Sequence, residues 1–538
     1  MSEAERETLD IDVLFVGAGP ASLAGAYHLA RLLREHNAKG PKIEVSIAVL
    51  EKGKDIASHA LSGAVVDPRA FQELFPDDWR QAPFEGKVED EELLLLTAKR
   101  SLSLPIPPPL ENDGNYVASL GKLLRWMHGK VEALGVDVFF EFPAAEALVE
   151  GGRVVGVRTQ DRGVGRDGNR KANYEPGVDV RSQVVVLGEG PRGTLAKELA
   201  ARFDLYAGRN PQVYSIGIKE IWDLPPGRVE PGSVTHTLGW PLGFDAFGGG
   251  FLYGMGGDQL IVGLVAGLDY ENPLFDPHLE FQRMKTHPAI APRLEGGRMA
   301  FYGAKAIPEG GWWSMPRLHG DGFLLVGDSA GMLNSQRLKG IHLAMKSGML
   351  AAETIFAALK EGGITAERLA RYPEMVEESW IRDELWPVRN FHQAFDHGLV
   401  AGMLQAGLGL VTGGRGWGIW NRLPTAPGHE RMIPLTTDEG RKLRAPAPVP
   451  VDNRLTFDRL ADVYNSGTAH EEDQPVHLHV ADTDICIYQC AVEYKNPCQR
   501  FCPAAVYEMV ADPASPTGER LQINASNCVH CKTCDIMD

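Results

Sequence analysis

Every cysteine of this chain lies close to its C-terminus. All seven cysteines of the 538-residue sequence fall at or after Cys486. Secreted proteins that depend on disulfides distribute their cysteines through the domains that those bonds hold together. The crowding at one end therefore predicts a separate C-terminal module with its own redox or metal chemistry, in a reducing compartment.

Three of these cysteines have the spacing of iron–sulfur ligands. Cys528, Cys531 and Cys534 form a C-x2-C-x2-C run, which lets one loop wrap a cubane cluster. Ferredoxins take a fourth ligand from a distant cysteine followed by proline, and Cys502 has that context. We therefore predict a [4Fe-4S] cluster, with Cys498 as the competitor for the fourth position. Zinc is the alternative metal, although zinc ribbons favour paired C-x2-C knuckles.

The N-terminal region is typical of a dinucleotide-binding unit. A β-branched run at 11–16 leads into Gly17-Ala-Gly19-Pro-Ala-Ser22 and then into an alanine-rich stretch, which predicts a strand, a tight turn and a helix. Such glycines let backbone N–H groups approach a pyrophosphate at the helix N-terminus. Ser22 stands where the fingerprint has Gly or Ala, and a glycine turn in another kind of α/β protein is the alternative. Glu51 ends the second predicted strand, where it could bind the adenosine ribose.

A second glycine loop favours FAD over NAD. Gly327-Asp328-Ser-Ala-Gly331 follows an apolar strand and precedes a predicted helix at 340–358. FAD needs such a second loop for its ribityl and phosphate groups. A third nucleotide-binding strand is predicted at 184–187, after a strand-rich insertion, and the strand-rich, glycine-rich region at about 205–305 predicts a substrate-side sheet. Residues 446–450 are typical of a linker before the cysteine module.

The chain is acidic, with a formal net charge of -17 and a pI near 5.5. This charge excludes a basic face for nucleic acid and disfavours electrostatic docking on anionic lipid, so membrane contact would be apolar. The acidic N-terminus lacks an apolar stretch, so we expect neither a signal peptide nor a transit peptide. A cytoplasmic bacterial protein, or a processed organellar one, is the expectation.

Two apolar segments could touch a membrane. Residues 398–414 carry no charge, and the apolar stretch continues to Trp420 with Trp417 beside it. Because a spanning helix needs about 20 apolar residues, we expect this helix to lie in one leaflet, with the tryptophans among the headgroups. A buried core helix is the alternative. The prolines of 102–110 forbid a helix, and this segment is either a second membrane contact or a surface loop.

These features, in this order, resemble the electron-transfer flavoprotein:ubiquinone oxidoreductase family along nearly the whole chain. The stretches that carry the resemblance are His59-Ala-Leu-Ser-Gly-Ala64, Asp113-Gly-Asn-Tyr116, Gly239-Trp-Pro-Leu242, Phe247-Gly-Gly249, Ala344-Met-Lys-Ser-Gly348, Cys502-Pro-Ala-Ala-Val-Tyr507 and Leu521-Gln-Ile-Asn524 with the cysteine triple. The resemblance implies an electron-transferring-flavoprotein dehydrogenase. Such an enzyme takes electrons from soluble electron-transfer flavoprotein and passes them through a [4Fe-4S] cluster and FAD to ubiquinone or menaquinone.

The implied fold is α/β (mixed α+β). A Rossmann-like FAD-binding domain would comprise residues 1–100, 117–205 and 306–397. It is interleaved with a quinone-binding, membrane-contacting β-sheet domain of residues 101–116, 206–305 and 398–445. A ferredoxin-like 4Fe-4S domain would follow at 446–538. The implied location is monotopic, on the cytoplasmic face of a bacterial inner membrane or the matrix side of the mitochondrial one, with contacts through 102–110 and 398–420.

The resemblance also implies roles for individual residues. The predicted FAD-binding set is Gly17, Gly19, Pro20, Ala21, Ser22, Glu51, Ser62, Gly63, Gly327, Asp328, Asn334 and Gly340. Phe247, Gly248 and Gly249 would contact the quinone head, and Cys502, Cys528, Cys531 and Cys534 would hold the cluster. Tyr507 and Thr533 would donate hydrogen bonds to sulfur and raise the cluster potential. No catalytic acid–base residue is expected, because the cofactors carry the chemistry.

The sequence departs from the family at two places. The family has Gly where Ser22 stands, which questions the helix–strand packing there. The sequence ends at Asp538, four residues after Cys534, where the family continues with a tail over the cluster, so we expect a more exposed and oxygen-labile cluster.

Two other functions compete with this interpretation. A reductase that saturates isoprenoid double bonds would need a lipid tunnel and no cysteine-rich end. An electron-relay subunit of a larger complex would use 398–420 as a protein interface.

Overall fold

A computed structural model describes residues 6–61, 63–243, 246–415, 421–515 and 517–537. Three residues of the predictions, Ser62, Trp417 and Trp420, lie outside these ranges. The remaining predicted residues can be placed.

The first sheet has the strand order of a doubly wound dinucleotide-binding fold. Its strands, from one edge to the other, are His319–Gly320, Phe323–Leu325, Val184–Leu187, Val13–Val16, Ile47–Glu51 and Asp137–Phe140. All neighbours are parallel except the first pair. The strand order reverses beside Val13–Val16, and ligands bind at the carboxyl ends of the strands at such a point.

Two helices cover this sheet and cross closely. Pro20–Asn37 and Ile341–Lys360 pack against each other. Gly348 permits the contact, because a side chain there would collide with the carbonyl oxygen of Ala21. Pro20–Asn37 begins at the first predicted glycine loop, and the second loop at Gly327 lies against Ala21 of this helix, so the two loops come together.

The second sheet is mostly antiparallel. Its seven strands in order are Arg298–Pro308, Tyr214–Asp223, Gln259–Gly267, Gly248–Met255, Val234–Gly239, Glu91–Leu96 and Ser101–Leu104. Glu91–Leu96 runs parallel to Val234–Gly239. This strand lies inside the range 1–100 that was predicted for the FAD domain, yet it pairs in the second sheet.

Smaller elements complete the architecture. The four-stranded sheet comprises Thr8–Asp10, Asp179–Arg181, Arg153–Thr159 and Ala144–Glu150, and the three-stranded sheet comprises Ala64–Val66, Tyr116–Ala118 and Phe84–Lys87. Arg162–Val164 and Arg170–Glu175 form a hairpin. The other α-helices before the cysteine module are Arg69–Leu74, Leu120–Glu132, Thr194–Arg202, Pro277–Lys285, Ala366–Leu369, Arg371–Glu378, Trp380–Leu385 and Leu399–Val411.

The cysteine module packs directly on the second sheet. It contains the helices Arg459–Asn465, Thr483–Ile485, Ala491–Glu493, Cys498–Phe501 and Cys534–Met537, a π-helical turn at Cys486–Cys490, and a hairpin of Tyr507–Ala511 with Glu519–Ile523. The buried Tyr302 hydroxyl donates to the Pro503 carbonyl at 2.9 Å. The module and the sheet share one apolar core, so their relative placement is fixed by packing.

Candidate functional site

A cavity of about 760 Å³ opens at the carboxyl ends of the parallel strands. Its volume lies within the range of small-molecule and cofactor sites, about 300–1,000 Å³. The wall includes Gly17, Gly19, Pro20, Ala21, Glu51, Gly63, Gly327, Asp328 and Gly340. Nine of the twelve residues predicted to bind FAD therefore face one cavity.

The first glycine loop is shaped for close approach of a ligand to the backbone. Gly17 has φ +88°, and a Cβ there would lie 2.6 Å from the Gly188 carbonyl oxygen. Gly19 is the N-cap of Pro20–Asn37, and no side chain caps this helix. The first N–H groups of the helix thus lie at the cavity wall, where the helix dipole favours an anion such as a pyrophosphate.

Glu51 is placed to accept hydrogen bonds as an anion. Its carboxylate accepts from the backbone N–H groups of Ala18 at 2.9 Å and Gly53 at 2.8 Å. Burial raises its pKa, but hydrogen bonds from His59 and these N–H groups outweigh burial and hold the pKa below its ordinary value. An ionised carboxylate at this position fits a ribose hydroxyl partner.

Ser22 and Asn334 lie behind the cavity wall. Ser22 is fully buried, and a side chain at Gly188 would collide with its hydroxyl. The missing side chain of Gly188 therefore accommodates the serine in the helix–strand contact. Asn334 accepts hydrogen bonds from the backbone N–H groups of Gln336 and Arg337, both at 3.1 Å. It shapes the turn that leads to Gly340.

Two buried lysines in the wall were missed in the sequence. Lys219 and Lys305 come from the strands Tyr214–Asp223 and Arg298–Pro308 of the second sheet. Burial lowers the pKa of Lys219 to about 7 and that of Lys305 to about 8. In the sequence, Lys305 lies between two alanines, whereas Lys219 is followed by Glu220, so only Lys305 interrupts an apolar run. Their cationic forms would favour an anionic ligand in the cavity.

The second loop contributes a buried acid. Asp328 follows Gly327, whose φ is +58°, and burial raises the pKa of Asp328 to about 6. Lys305 opposes this shift with its charge. Both residues line the cavity, Asp328 from the turn after the first sheet and Lys305 from a strand of the second sheet.

The four predicted cluster ligands come together in the cysteine module. Their charges interact with one another, and Cys502, Cys528 and Cys531 are each less than 10% exposed. These three ligand residues are therefore buried, while the expectation of a cluster more exposed than in the family stays a prediction. Cys498 begins the helix Cys498–Phe501, where its thiol interacts with Arg500.

The loops around these cysteines are wound tightly and supply donors to sulfur. Ala505, His530 and Lys532 have φ of +50°, +54° and +72°. Such conformations are costly for residues other than glycine and cluster at functional sites. Thr533 donates to the Cys531 sulfur at 3.3 Å, and the Tyr507 hydroxyl donates to the Cys534 sulfur. The arrangement fits a metal-bound thiolate group with hydrogen-bond donors around it.

Burial disfavours the thiolate form of these cysteines, so they bind only a metal whose positive charge stabilises the thiolate. It raises the pKa of Cys528 to about 11 and that of Cys531 to about 12. Only the thiolate binds metal. A cluster of iron ions would supply the positive charge that stabilises the buried thiolates.

The cysteine loop and the cavity share a wall. His530 and Lys532, which alternate with the ligand cysteines, both line the cavity. The Ala306 N–H donates to the Cys531 carbonyl at 2.9 Å, one residue beyond the wall lysine Lys305. A ligand in the cavity and a metal on the cysteines would therefore be neighbours.

The predicted quinone residues lie at the start of the central strand of the second sheet. Gly248 and Gly249 begin the strand Gly248–Met255. The ring of Phe247 packs against Phe395 at 5.1 Å and against His392 at 4.6 Å. This aromatic group directly precedes the apolar segment at 398–414, so the predicted quinone and membrane residues are adjacent.

The apolar segment forms the helix Leu399–Val411, and several of its described side chains are exposed. Met403, Leu404 and Val411 are 57%, 73% and 85% exposed. The alternative of a buried core helix is therefore wrong. Among the described residues, no helix combines the length and apolarity that membrane crossing requires.

The proline-rich segment is more ordered than predicted. Ser101–Leu104 is an edge strand with Leu102 60% exposed. Pro108–Leu110 forms a short 3-10 turn, so the prediction that the prolines forbid a helix is wrong for this turn. Proline is tolerated there because the first positions of a helical turn need no N–H donor.

Comparison with known proteins agrees with this geometry. The family "ETF-QO, ubiquinone-binding" matches residues 214–307, and the family "Electron transfer flavoprotein-ubiquinone oxidoreductase, 4Fe-4S" matches residues 453–538. The latter decides for iron over the zinc alternative.

Curated relatives match along the whole chain. Electron transfer flavoprotein-ubiquinone oxidoreductase of Pseudomonas aeruginosa is 42% identical, over 99% of this chain and 96% of the relative. The mitochondrial enzyme of Homo sapiens is 42% identical, over 99% of this chain and 86% of the relative. That of Arabidopsis thaliana is 41% identical, over 100% and 82%.

Solved structures share the fold at low identity. A geranylgeranyl bacteriochlorophyll reductase-like protein from Thermoplasma acidophilum has a TM-score of 0.55 and 19% identity, over 76% of this chain and 90% of that chain. A flavoprotein/dehydrogenase from Cytophaga hutchinsonii has a TM-score of 0.50 and 17% identity, over 72% and 87%. The predicted fold class is confirmed. On its full-length identity to the curated relatives, the chain belongs to the electron transfer flavoprotein-ubiquinone oxidoreductase family.

Proposed function

We propose that this protein is an electron-transferring-flavoprotein dehydrogenase, which oxidises reduced electron transfer flavoprotein and reduces ubiquinone or menaquinone. The observation that carries the proposal is the wall shared by the dinucleotide cavity and the cysteine loop through His530 and Lys532. When bound, the [4Fe-4S] cluster supplies one-electron transfer, and FAD joins single-electron steps to two-electron reduction of a quinone.

The chain holds FAD mainly through its backbone. The N-terminus of Pro20–Asn37 binds the pyrophosphate, Glu51 accepts from the ribose, and the loop at Gly327 receives the remaining phosphate and ribityl groups. Ser22 and Asn334 support these loops from behind. The other residues of the proposed FAD-binding set are Gly17, Gly19, Pro20, Ala21, Ser62, Gly63, Asp328 and Gly340.

Cys502, Cys528, Cys531 and Cys534 hold the cluster. Tyr507 and Thr533 stabilise its more negative, reduced state by donating to sulfur. Phe247, Gly248 and Gly249 bind the quinone head. The proposed FAD domain comprises 1–100, apart from the strand Glu91–Leu96 that pairs in the second sheet, together with 117–205 and 306–397. The proposed quinone and membrane domain comprises 101–116, 206–305 and 398–445, and the cluster domain comprises 446–538.

The exposed helix Leu399–Val411 and the strand Ser101–Leu104 rest on the lipid surface. Exposed Met403, Leu404 and Val411 support this proposal, because such a patch is costly in water. The protein is then monotopic, on the cytoplasmic face of a bacterial inner membrane or the matrix side of a mitochondrial one. A quinone would leave the bilayer beside Phe395 and Phe247.

The direct test is turnover with purified electron transfer flavoprotein and a short-chain ubiquinone. Cys531→Ala should lose the cluster and at least about tenfold of quinone reduction, since one of four ligands is removed. Cys486→Ala is the matched control, because it removes a cysteine outside the proposed ligand set. Equal turnover of the two variants would refute the role of the cluster.

A further pair of variants identifies the fourth ligand. Cys502→Ala should lower the iron content as Cys531→Ala does, whereas Cys498→Ala should retain it. The reverse result would assign the fourth ligand to Cys498, one helical turn earlier in the chain.

The isoprenoid-reductase alternative shares the fold, but the 4Fe-4S family match disfavours it. The relay-subunit alternative predicts a patch that binds protein in place of lipid. Flotation with liposomes separates the proposed lipid-binding patch from the protein-docking patch of a relay subunit, since a protein-docking patch leaves the purified chain in the soluble fraction.

A further inference from the structure

A buried histidine between two carboxylates lies beside the proposed quinone site. His392 is 1% exposed, and its ring packs on Phe247 at 4.6 Å. Its Nε2 lies 3.0 Å from Asp269 Oδ2, and its Nδ1 lies 3.2 Å from Glu309 Oε2. Ser215 donates to the same Glu309 oxygen at 2.7 Å. Both ring nitrogens therefore face a carboxylate.

The group formed by His392, Asp269 and Glu309 has one end at the flavin cavity and the other toward solvent. Glu309 is part of the wall of the flavin cavity. Asp269 lies 3.8 Å from Arg431, which pairs at 2.6 Å with Asp396. Asp396 and Arg431 are only partly buried. The group therefore runs from the solvent side of the fold to the cavity, beside Phe247.

The charges around the ring keep a proton on it. Burial acts to lower the pKa of His392, but Asp269 and Glu309 raise it to about 10. Arg431, Asp396 and the exposed Glu271 are the other charged groups at the Asp269 end. His392 is thus an imidazolium at neutral pH, held next to aromatic rings that exclude bulk water.

Quinone reduction needs such a proton source. Conversion of a quinone to a quinol takes up two electrons and two protons. The reduced cofactors supply the electrons, but the packed rings of Phe247, Phe391 and Phe395 make the surroundings of this site apolar. The protons must therefore reach the quinone oxygens through groups of the protein.

Resting on the proposed function, we infer that His392, Glu309 and Asp269 form the proton-delivery chain to the quinone. His392 passes the proton on Nδ1 to Glu309, and the Glu309 carboxyl gives it to a reduced quinone oxygen, forming an O–H bond. The neutral ring keeps its Nε2–H toward Asp269; a tautomer exchange then moves this proton to the vacant Nδ1, and solvent restores the proton at Nε2 from the Asp269 side. Two such cycles balance two electrons and yield the quinol. Asp269 is a positioning residue that also fixes the ring orientation.

A second buried histidine provides the structural comparison. His278 contacts the Asp462 carboxylate at 2.6 Å inside the core between the second sheet and the cysteine module. Neither residue is among the described residues that line the flavin cavity. This pair joins the same two side-chain types as His392 and Asp269, but burial lowers the pKa of His278 to about 3, so its imidazole is neutral and has no connection to a substrate site.

The experiment compares two electron acceptors with the holoenzyme. A short-chain ubiquinone takes up protons, whereas ferricenium accepts one electron and no proton. His392→Gln should lower the ratio of quinone to ferricenium turnover on the order of 10²-fold, the lower end of general acid effects. The loss should grow as pH rises, because solvent protons become scarcer. His278→Gln, with the same loss of a buried imidazole, should leave the ratio within about twofold of wild type.

A second variant and a spectroscopic measurement test the inference independently of turnover by His392→Gln. Glu309→Gln should lower the same ratio, and it carries the test if His392→Gln does not fold. In protein labelled with 15N-histidine, one imidazolium signal should persist above pH 8 in the apoprotein and vanish in His392→Gln. Unchanged ratios in the variants that fold would overturn the inference. Absence of quinone turnover in wild type would instead refute the proposed function.

Discussion

Replacing Thr533 by valine should lower the reduction potential of the cluster by about 40 mV. Thr533 is fully buried and donates to the Cys531 sulfur at 3.3 Å. Valine keeps the shape of the side chain and removes only the donor. A hydrogen bond of this kind contributes about 1 kcal/mol net, and it is stronger to the more negative, reduced cluster. For a one-electron couple 59 mV corresponds to 1.4 kcal/mol, which gives about 40 mV.

The assay is a redox titration of the cluster monitored by electron paramagnetic resonance. Thr533→Ser retains the hydroxyl and is the matched control, with a potential close to that of wild type. Iron content measured on each sample separates a tuning effect from cluster loss. A Thr533→Val midpoint within about 10 mV of wild type, or above it, would refute the assigned role of this hydrogen bond.

Three further predictions follow from the geometry. Gly17→Ala should yield protein with little or no FAD, because a Cβ at φ +88° would lie 2.6 Å from the Gly188 oxygen; the flavin-to-protein absorbance ratio measures this. Leu404→Lys should weaken liposome flotation, whereas Val492→Lys, at a site 61% exposed in the cysteine module, should not; equal flotation would contradict the membrane proposal. The pKa of His392 is raised on folding from its ordinary 6.5 to about 10, so its contribution to stability is fully present below about pH 6.5 and is lost progressively as pH rises to about 10. Denaturant titrations should therefore show a steeper loss of unfolding free energy between about pH 7 and about pH 10 for wild type than for His392→Gln.

Local motifs predicted much of the site. Gly17, Gly19 and Glu51 belong to one strand–turn–helix–strand unit, so their spacing in sequence fixes their spacing in the fold. The cysteine triple is equally local, and the proline after Cys502 supplied the distant fourth member. The family, the fold class, the cofactors and the electron-transfer function are confirmed by the family matches.

The features that were missed depend on contacts between distant segments. Lys219 and Lys305 enter the cavity only because the second sheet packs against the first. Glu91–Leu96 joins that sheet by pairing with Val234–Gly239, a parallel pairing that no local pattern encodes. His392 pairs with Asp269 and Glu309, which come from two other segments of the chain. The residues next to His392 in sequence therefore did not indicate an acid–base group, and none was expected from the sequence.

Ser22 departs from the glycine pattern of dinucleotide-binding loops, and the structure shows how the fold accommodates it. Ser22 adds a hydroxyl to the helix–strand contact, and the absent side chain of Gly188 makes room for it. The compensation lies on another strand, so the sequence around Ser22 alone could not predict it.

Metal and flavin analysis of anaerobically purified protein tests most directly whether one iron–sulfur cube is held beside a flavin. Four ligand thiolates predict about four irons and four sulfides per FAD, with Cys502→Ala and Cys531→Ala both deficient in iron. Zinc in place of iron, or FAD without iron in wild-type protein, would contradict the cluster on which electron transfer to the quinone depends.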